Sequence, residues 1–382
     1  MYSMNEYGEM TLDRGRTEAY AQSIRARVNP GATVLDIGCG PGILTLFACQ
    51  AGAGKVYAIE PDGVIEIARE AVVANGYADR VEFIQALSTE ASLPEKVDVV
   101  VSDLHGVLPP YRGSIASILD ARDRFLKPGG GLIPQRETIV VTIINAPAIH
   151  QRILAPWGHS WGFDYEAAEK RAVNYWSKQQ FTSDAMVVEP KVWVTLDYVQ
   201  VKSPSAHGGA AWTIAQPSQA HGLGLWFDSV TAPGCGFSNS PSSGEEHIYG
   251  QAFFPWPEAC HLEPGDEVSV EIRADEVGED YVWSWSTEIR TRDLRQPAKK
   301  AFRQSEFLGN TVSRDSLRKG GSTFVPTPNI KAAIDRMILE LFHSGKTLEE
   351  ISRQLAERFP ERFPDWRTAL SRVGEFSQRY SI

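Results

Sequence analysis

Short apolar runs alternate with amphipathic stretches between residues 30 and 145. The apolar runs are rich in β-branched residues and predict four strands, at residues 34–37, 55–59, 81–84 and 97–101. The stretches at roughly 42–52 and 62–76 have helical spacing and predict helices. Strands that alternate with helices are typical of a parallel sheet wrapped by helices. The sequence therefore predicts an α/β domain in the first part of the chain.

The pattern changes after Pro134. Strand-like runs such as 192–196 and 268–272 recur between turn-forming residues and predict an antiparallel β domain, interrupted by one helix at about 165–173. Beyond residue 330, apolar residues recur at helical spacing, and Thr347 precedes an acidic first turn as a helix cap does. The final section of the chain is therefore predicted to be helical.

Composition and charge narrow the possible functions. The 382 residues exceed the usual limit of a single core, and their net charge of −10 disfavours nucleic-acid binding. A basic stretch at 290–320, with nine Lys and Arg against three Asp and Glu, is the exception and predicts a linker. No long apolar run or signal peptide is evident, so we expect no membrane association and a cytoplasmic location.

Cysteine and histidine patterns point to neither a disulfide framework nor a metal site. Cys39, Cys49, Cys235 and Cys260 are scattered without a C-x-x-C pair, which favours reduced thiols. The eight histidines show no ligand spacing with cysteines or acids. We therefore expect no metal cofactor.

A glycine-rich loop directly after the first predicted strand carries the clearest chemical signal. It runs from Asp36 through Gly38, Gly40 and Gly42, and Glu60 ends the next strand about twenty residues later, where a carboxylate can accept ribose hydroxyls. A pyrophosphate cofactor would require the spacing G-x-G-x-x-G, whereas this loop has G-x-G-x-G with a proline inside it. The loop therefore favours a nucleoside cofactor without phosphate.

The segment from Val34 to Gly40 resembles motif I of the class I S-adenosylmethionine-dependent methyltransferases, which have a Rossmann-like fold. The resemblance implies S-adenosylmethionine as cofactor. It further implies that Glu60 holds the ribose, that the turn at Gly38 and Gly40 passes against the methionyl part, and that Thr89 or Glu90 lies near the adenine. Asp36 is the remaining residue that the resemblance assigns to the cofactor site.

A longer stretch, about residues 5–290, resembles the protein arginine methyltransferases. Residues 7–20 look like that family's N-terminal helix, in which Met10 would contact the cofactor and Arg16 would pair with its carboxylate. The implied domains are a methyltransferase domain at 1–134, an antiparallel β-barrel at 135–290, a linker at 291–325 and a helical domain at 326–382. Residues 161–165 resemble the family's dimerisation arm, which implies a homodimer.

The residues at the positions where that family binds its substrate differ from the family's own. The family carries two glutamates nine residues apart after the fourth strand, and these positions hold Asp103 and Arg112 here. In a semi-buried pocket Arg112 would repel a guanidinium by several kcal/mol on order-of-magnitude Coulomb grounds. The barrel motif Thr-His-Trp falls on residues 247–249, which places Ile248 at the histidine position and allows His247 to replace it only after a change of strand register.

These departures predict a methyltransferase with a changed acceptor, a peptide or a small molecule. Arg112 would bind a carboxylate for O-methylation, or alternatively pair with Asp103 or Asp120, and Asp103 or His105 would be the general base for a hydroxyl or amine. His105 could instead be a solvated loop residue. Two alternatives remain open: a divergent arginine methyltransferase that uses Asp103 with a second acid, and a non-catalytic cofactor-binding scaffold. Candidate substrate-binding residues are Tyr111, His247 and Tyr249, with packing as the other role for the two tyrosines.

The C-terminal helices faintly resemble small PqqD-like domains that capture leader peptides. The resemblance covers about forty residues from Ser344 onward, and the short strands of such a domain are not evident before Ile330. A helical cap or a dimerisation element is the alternative. Peptide capture by this section would favour a peptide acceptor.

Overall fold

The computed structural model describes residues 2–158, 160–292 and 297–381. The chain forms two compact units, residues 1–310 and residues 311–382. Two helices open the first unit: α1 (Met4–Leu12) and α2 (Arg14–Arg27). Ser3 and Glu6 form a capping box at the start of α1, and the Asp13 side chain caps α2 by accepting a hydrogen bond from the Arg16 amide.

A five-stranded parallel sheet follows the two helices. Its order is β3-β2-β1-β4-β5, and each neighbouring pair is parallel. Every residue of the first strand is buried, as expected where helices cover both faces. The elements are β1 (Thr33–Ile37), α3 (Ile43–Gln50), β2 (Lys55–Ile59), α4 (Ile65–Ala74), β3 (Val81–Ile84), β4 (Val97–Ser102), α5 (Ser114–Phe125) and β5 (Leu126–Ile133).

The rest of the first unit is mainly antiparallel β-structure. Its elements are β6 (Arg136–Ile144), α6 (Pro147–Leu154), α7 (Glu166–Ala172), β7 (Ser177–Gln179), β8 (Lys191–Asp197), β9 (Ala206–Thr213), β10 (Ser218–Ala232), β11 (Cys235–Ser238), β12 (Gln251–Leu262), β13 (Glu267–Val277), β14 (Asp280–Arg290), β15 (Lys300–Ser305) and α8 (Glu306–Gly309), with 3₁₀ turns at Ser160–Gly162 and Ser183–Ala185. One sheet has the order β7-β12-β10-β6-β8, with β11 paired to β10, and the other β15-β14-β13-β9.

Alternating burial explains why these strands form. Successive residues of β13 and β14 alternate between exposed or half-buried and buried positions, so one face of each strand is apolar. Aromatic rings fill the interior, with Phe254 packed edge-on against Trp283 and Trp285. The predicted fold class, a parallel α/β domain followed by an antiparallel β domain and a helical section, is confirmed.

One predicted boundary is corrected. Residues 300–305, placed in the linker by their charge, form the edge strand β15, which pairs with β14. Lys300 and Arg303 are exposed, whereas the Gln304 side chain is buried and donates hydrogen bonds to the carbonyls of Val173 and Pro255. The clustered charges masked this alternation in the sequence. Residues 293–296, also in the predicted linker, lie outside the described residues.

The second unit is built from helices. They are α9 (Arg314–Lys319), α10 (Ile330–Phe342), α11 (Leu348–Arg358) and α12 (Trp366–Tyr380). Thr347 and Glu350 form the predicted cap of α11, and a core including Ile338, Leu355 and Val373 joins the last three helices. Described residues 311–381 contain no strand, and the first helix starts before the predicted boundary at 326.

Candidate active site

The glycine loop joins β1 to α3 in a conformation that requires glycine. Gly38 and Gly42 have φ angles of +68° and +92°, a region that other residues rarely adopt. A Cβ atom on Gly38 would overlap the Leu104 side chain, and one on Gly42 would lie 2.9 Å from Ala68 Cβ. The glycines therefore leave the loop backbone without side chains of its own where it turns over the carboxyl end of the sheet.

Two acids lie beside this loop. Asp36 is fully buried; its Oδ2 accepts a 2.6 Å hydrogen bond from Thr45, and its Oδ1 has no partner among the described residues. Glu60 accepts hydrogen bonds from the amides of Gly40 and Asp62, at 3.1 and 2.9 Å. Burial raises the pKa of Asp36 to about 7 and also raises the pKa of Glu60. Among the described residues, Asp36 Oδ1 is therefore the oxygen left without a partner, whereas each Glu60 oxygen already accepts one backbone hydrogen bond.

The N-terminal helix α2 places the positively charged guanidinium group of Arg16 at this edge of the sheet. The Arg16 side chain is 7% exposed, and its Nη2 donates a 2.7 Å hydrogen bond to the Met10 carbonyl. Its Nη1 forms an ion pair with Asp103. Tyr7 packs over Gly40, so α1 covers the glycine loop. Met10, Arg16, Asp36, Gly38, Gly40 and Glu60 thus belong to elements that meet at one edge of the sheet.

Thr89 and Glu90 lie in the turn after β3. Both side chains are exposed, and the Glu90 amide donates a 3.0 Å hydrogen bond to the Leu87 carbonyl. Parallel strands β2 and β3 end at the same edge, so the turn shares that edge with Glu60. Their predicted position near an adenine stays a prediction.

Asp103, directly after β4, is the centre of a buried polar network. Its side chain is 11% exposed. Oδ2 pairs with Arg16, while Oδ1 accepts hydrogen bonds from the Tyr249 hydroxyl at 2.8 Å and from His105 Nδ1 at 3.1 Å. Burial alone would raise the pKa of Asp103, but Arg16 and His105 outweigh it and hold the pKa well below its usual range. Asp103 is therefore ionised and fixed in orientation.

His105 is held between two carboxylates. Its Nδ1 contacts Asp103 and its Nε2 forms an ion pair with Glu137 on β6. Burial disfavours the charged ring, but Glu137 and Asp103 outweigh burial and raise the pKa of His105 to about 10. A ring that is protonated at neutral pH cannot accept a proton, which corrects the predicted general-base role. It is also buried, not a solvated loop residue.

Glu137 is the residue that the sequence analysis missed. It is fully buried, and its Oε2 accepts a 2.5 Å hydrogen bond from the Tyr198 hydroxyl. The available signal was a single carboxylate within a strand rich in β-branched residues, β6 (Arg136–Ile144). An unpaired buried carboxylate is costly, so its presence there indicates a buried cation.

Arg112 lies at the surface. It has a φ angle of +47°, its amide donates a 3.1 Å hydrogen bond to Asp280 Oδ1, and its guanidinium carbon is 5.1 Å from the Tyr111 ring centroid. No ion pair joins it to Asp103 or Asp120 within the described part of the chain. This corrects the expected semi-buried setting, and solvent reduces its repulsion for a guanidinium to about 1 kcal/mol at 4 Å.

The other predicted substrate-binding residues lie in two places. Tyr111 and Tyr249 lie near Asp103 or at the rim of the site, whereas His247 contacts Asp13, the residue that caps α2. The Tyr111 hydroxyl lies 3.5 Å from the Tyr2 hydroxyl at the rim, and Tyr249 contacts Asp103. His247 Nδ1 lies 2.9 Å from Asp13 Oδ1, and the Ile248 amide donates to the other oxygen of Asp13 at 2.9 Å. Both residues lie in the loop between β11 and β12, so strand register does not determine their contacts with Asp13, and the predicted replacement of the family histidine by His247 stays a prediction.

Two other kinds of site are absent from the described ranges. No group of three or more His, Cys, Asp or Glu side chains is arranged to hold a metal ion there. None of the helices in those ranges is long and apolar enough to cross a membrane. Cys39, Cys49, Cys235 and Cys260 are all free thiols, as the sequence predicts.

Comparisons with solved structures support this architecture. The Trypanosoma brucei structure described as the "PRMT1 enzyme-prozyme heterotetrameric complex with AdoHcy" has a TM-score of 0.71 at 24% identity, covering 78% of this chain and 97% of that one. Arabidopsis thaliana protein arginine methyltransferase 10 has a TM-score of 0.70 at 24% identity, covering 79% and 97%. These likenesses establish the fold.

Sequence comparisons establish the family. Residues 14–135 match the family described as "Ribosomal protein L11 methyltransferase (PrmA)". The chain is 31% identical over 229 residues to "Probable protein arginine N-methyltransferase 6" of Arabidopsis thaliana, covering 58% of this chain but about half, 53%, of that relative. It is 31% identical over 288 residues to "Protein arginine N-methyltransferase 6" of Xenopus laevis, covering 69% and 82%. The chain belongs to the protein arginine N-methyltransferase family, with a class I S-adenosylmethionine-dependent methyltransferase fold.

Proposed function

We propose that the protein is an S-adenosylmethionine-dependent methyltransferase that methylates a nitrogen of arginine side chains in proteins, as a divergent member of its family. The position of Asp103 carries this proposal. It places an ionised carboxylate directly after β4, beside the glycine loop that would hold the methyl donor. The relatives named as arginine N-methyltransferases favour this acceptor over the non-arginine acceptor that the substitution at Arg112 suggests.

The residues around the glycine loop fit the cofactor. The unpartnered Oδ1 of Asp36 supplies an acceptor for the ammonium group, and Glu60 supplies acceptors for ribose hydroxyls. Arg16 supplies a fork for the carboxylate, and its buried Nε has no partner among the described residues. Gly38, Gly40 and Met10 would line the methionyl part, with Thr89 or Glu90 toward the adenine. The bound cofactor supplies a methyl group on a positively charged sulfur, ready for attack by a lone pair.

Arg16 links the two halves of the site. Its guanidinium now pairs with Asp103 Oδ2. When Arg16 holds the cofactor carboxylate, this oxygen of Asp103 becomes available to accept an N–H from the substrate guanidinium. Tyr249 and His105 meanwhile keep Oδ1 in place. Asp103 would thus orient the nitrogen lone pair and offset the positive charge of the guanidinium.

A carboxylate acceptor is the second candidate, and Arg112 favours it. Its guanidinium is exposed beside Tyr111, at the position where the family carries its second glutamate. A planar guanidinium can bind a carboxylate bidentately and leave an oxygen lone pair for the methyl group. This alternative requires no general base, since a carboxylate is already ionised at neutral pH.

Three further properties stay predictions. A homodimer is supported by the exposed aromatic side chains Trp161, Phe163 and Tyr165 in the predicted arm. A cytoplasmic location is supported by the four free thiols. Capture of a peptide by α10–α12 is supported only by the resemblance in sequence.

The acceptor can be identified with a labelled methyl group. The full chain is incubated with deuterated-methyl S-adenosylmethionine and either arginine-rich peptides or cell-extract peptides and metabolites, and every labelled species is fragmented. Label on arginine nitrogen supports the main proposal, whereas label on a carboxyl supports the second candidate. Cofactor binding without transfer to any acceptor would indicate the non-catalytic scaffold. An Asp103→Asn variant serves as the matched control, since it keeps the shape of the side chain but removes its charge.

A further inference from the structure

We propose that His105 and Glu137 are positioning residues for Asp103, forming a buried ion pair that fixes this carboxylate from the barrel side. The proposal rests on the function proposed above for Asp103. It extends the role of His105 to Glu137, a buried charged residue to which the proposed function assigns no part.

The geometry of the contacts supports this role. Glu137 Oε1 pairs with His105 Nε2, and His105 Nδ1 lies 3.1 Å from Asp103 Oδ1. The Tyr198 hydroxyl, from the end of β8, donates a 2.5 Å hydrogen bond to the other oxygen of Glu137. The His105 side chain is 2% exposed and that of Glu137 is fully buried. The pair therefore connects barrel strands to the loop after β4.

Charge explains why both residues are needed. Arg16, Asp103, His105 and Glu137 form a buried row of alternating charges that sums to zero when the ring is protonated. If Glu137 were neutral, the row would carry one uncompensated positive charge, which burial penalises strongly. His105 would then lose its proton more readily, and its contact with Asp103 would weaken.

The contacts of the His105 ring with described residues include two carboxylates and two aromatic rings. Asp103 and Glu137 contact its nitrogens, and the rings of Phe227 and Tyr249 lie 5.3 and 6.0 Å from it. Arg16 acts on it through Asp103, and Tyr198 through Glu137. Phe227 and Tyr249 pack against the ring and, with the carboxylates beside its two nitrogens, restrict its orientation. This arrangement holds Asp103 in a single orientation.

The test combines enzyme kinetics with nuclear magnetic resonance of the full chain. Wild type and Glu137→Gln are compared for methyl transfer to an arginine-rich peptide from pH 6.5 to 9, and nitrogen-15 spectra of the His105 ring follow its protonation. We expect a protonated ring in wild type at pH 8. In Glu137→Gln we expect a ring that deprotonates at least one pH unit lower, and a kcat that falls about tenfold as it does so. The affinity for S-adenosylmethionine should stay unchanged.

Controls separate positioning from folding. His150→Gln changes another buried histidine, which contacts the Trp256 carbonyl instead of this network, and should keep the wild-type pH profile. If Glu137→Gln fails to fold, Tyr198→Phe removes one donor to Glu137 and should give a smaller change in the same direction. A neutral His105 at pH 8, or a wild-type profile in Glu137→Gln, would overturn the proposal. If wild type methylates nothing, the proposed function fails, and the resonance titration alone decides whether Glu137 controls the ring.

Discussion

The Tyr249 hydroxyl donates a 2.8 Å hydrogen bond to Asp103 Oδ1, so a barrel loop contacts the acid that directly follows β4. Both side chains are largely buried, where a hydrogen bond to a charged group contributes about 1.5–3 kcal/mol. The contact therefore stabilises the ionised form of Asp103. It also stabilises the packing of the barrel loop against the residue that follows β4.

Replacing Tyr249 with phenylalanine should lower the free energy of unfolding by about 1.5–3 kcal/mol, because Asp103 would lose a donor without gaining water. Chemical denaturation measures this loss. Tyr281→Phe is the matched control, since its hydroxyl donates to the neutral Pro204 carbonyl and its loss should cost only about 1 kcal/mol. An equal loss in both variants would show that the charge of Asp103 does not strengthen the contact.

Glu60→Ala should weaken S-adenosylmethionine binding by about 1–3 kcal/mol, because the ribose would lose charged hydrogen bonds. Isothermal titration calorimetry measures the affinity. Glu66→Ala, on the exposed side of α4, is the control and should bind the cofactor as wild type does. Unchanged affinity in Glu60→Ala would exclude Glu60 from the cofactor site.

Cofactor binding should release protons near pH 6.5. Burial raises the pKa of Asp36 to about 7, so the free protein holds a proton on this carboxyl at that pH. An ammonium group placed beside Asp36 would lower the pKa and release the proton. Calorimetry in two buffers of different ionisation enthalpy measures the release. Asp36→Asn should abolish it, and an undiminished release in that variant would place the proton elsewhere.

The approach of Asp36 and Glu60 to the glycine loop could be predicted from the sequence for a physical reason. Carboxyl ends of neighbouring parallel strands meet at one edge, so Asp36 and Glu60 had to approach the glycine loop once the strands were recognised. The contact between Asp13 and His247 joins residues 234 positions apart and depends on how a barrel loop meets α2. No local pattern encodes such a distance.

The residues near the proposed methyl acceptor show a second reason why part of the site could not be predicted from the sequence. The exposure of Arg112 follows from its φ angle of +47° and from the bond between its amide and Asp280, both set by tertiary structure. The role of His105 likewise depends on Glu137, which belongs to another sheet. Residue type alone suggested a base, whereas the two carboxylates make the ring a fixed cation.

The free energy of unfolding should fall as pH rises from 7 to 10. The raised pKa of His105, about 10 in the folded chain against an ordinary value near 6.5, means that the folded protein holds a proton that the unfolded chain has lost. This stabilisation is complete below pH 6.5 and disappears as pH passes 10. Denaturation at several pH values measures the slope, which His105→Gln should remove. A slope that persists in His105→Gln would assign it to other groups.

Arg112→Glu should raise kcat/KM for an arginine-containing peptide about tenfold, because a carboxylate would replace the like charge at the rim of the acceptor site. The effect is modest because Arg112 is exposed and its charge is screened. Transfer of deuterated methyl groups to the peptide measures the rate. Arg314→Glu, an equal charge change in the helical unit, is the control and should leave kcat/KM unchanged. If Arg112→Glu instead abolishes transfer to the native acceptor, Arg112 binds that acceptor and a carboxylate becomes the better assignment.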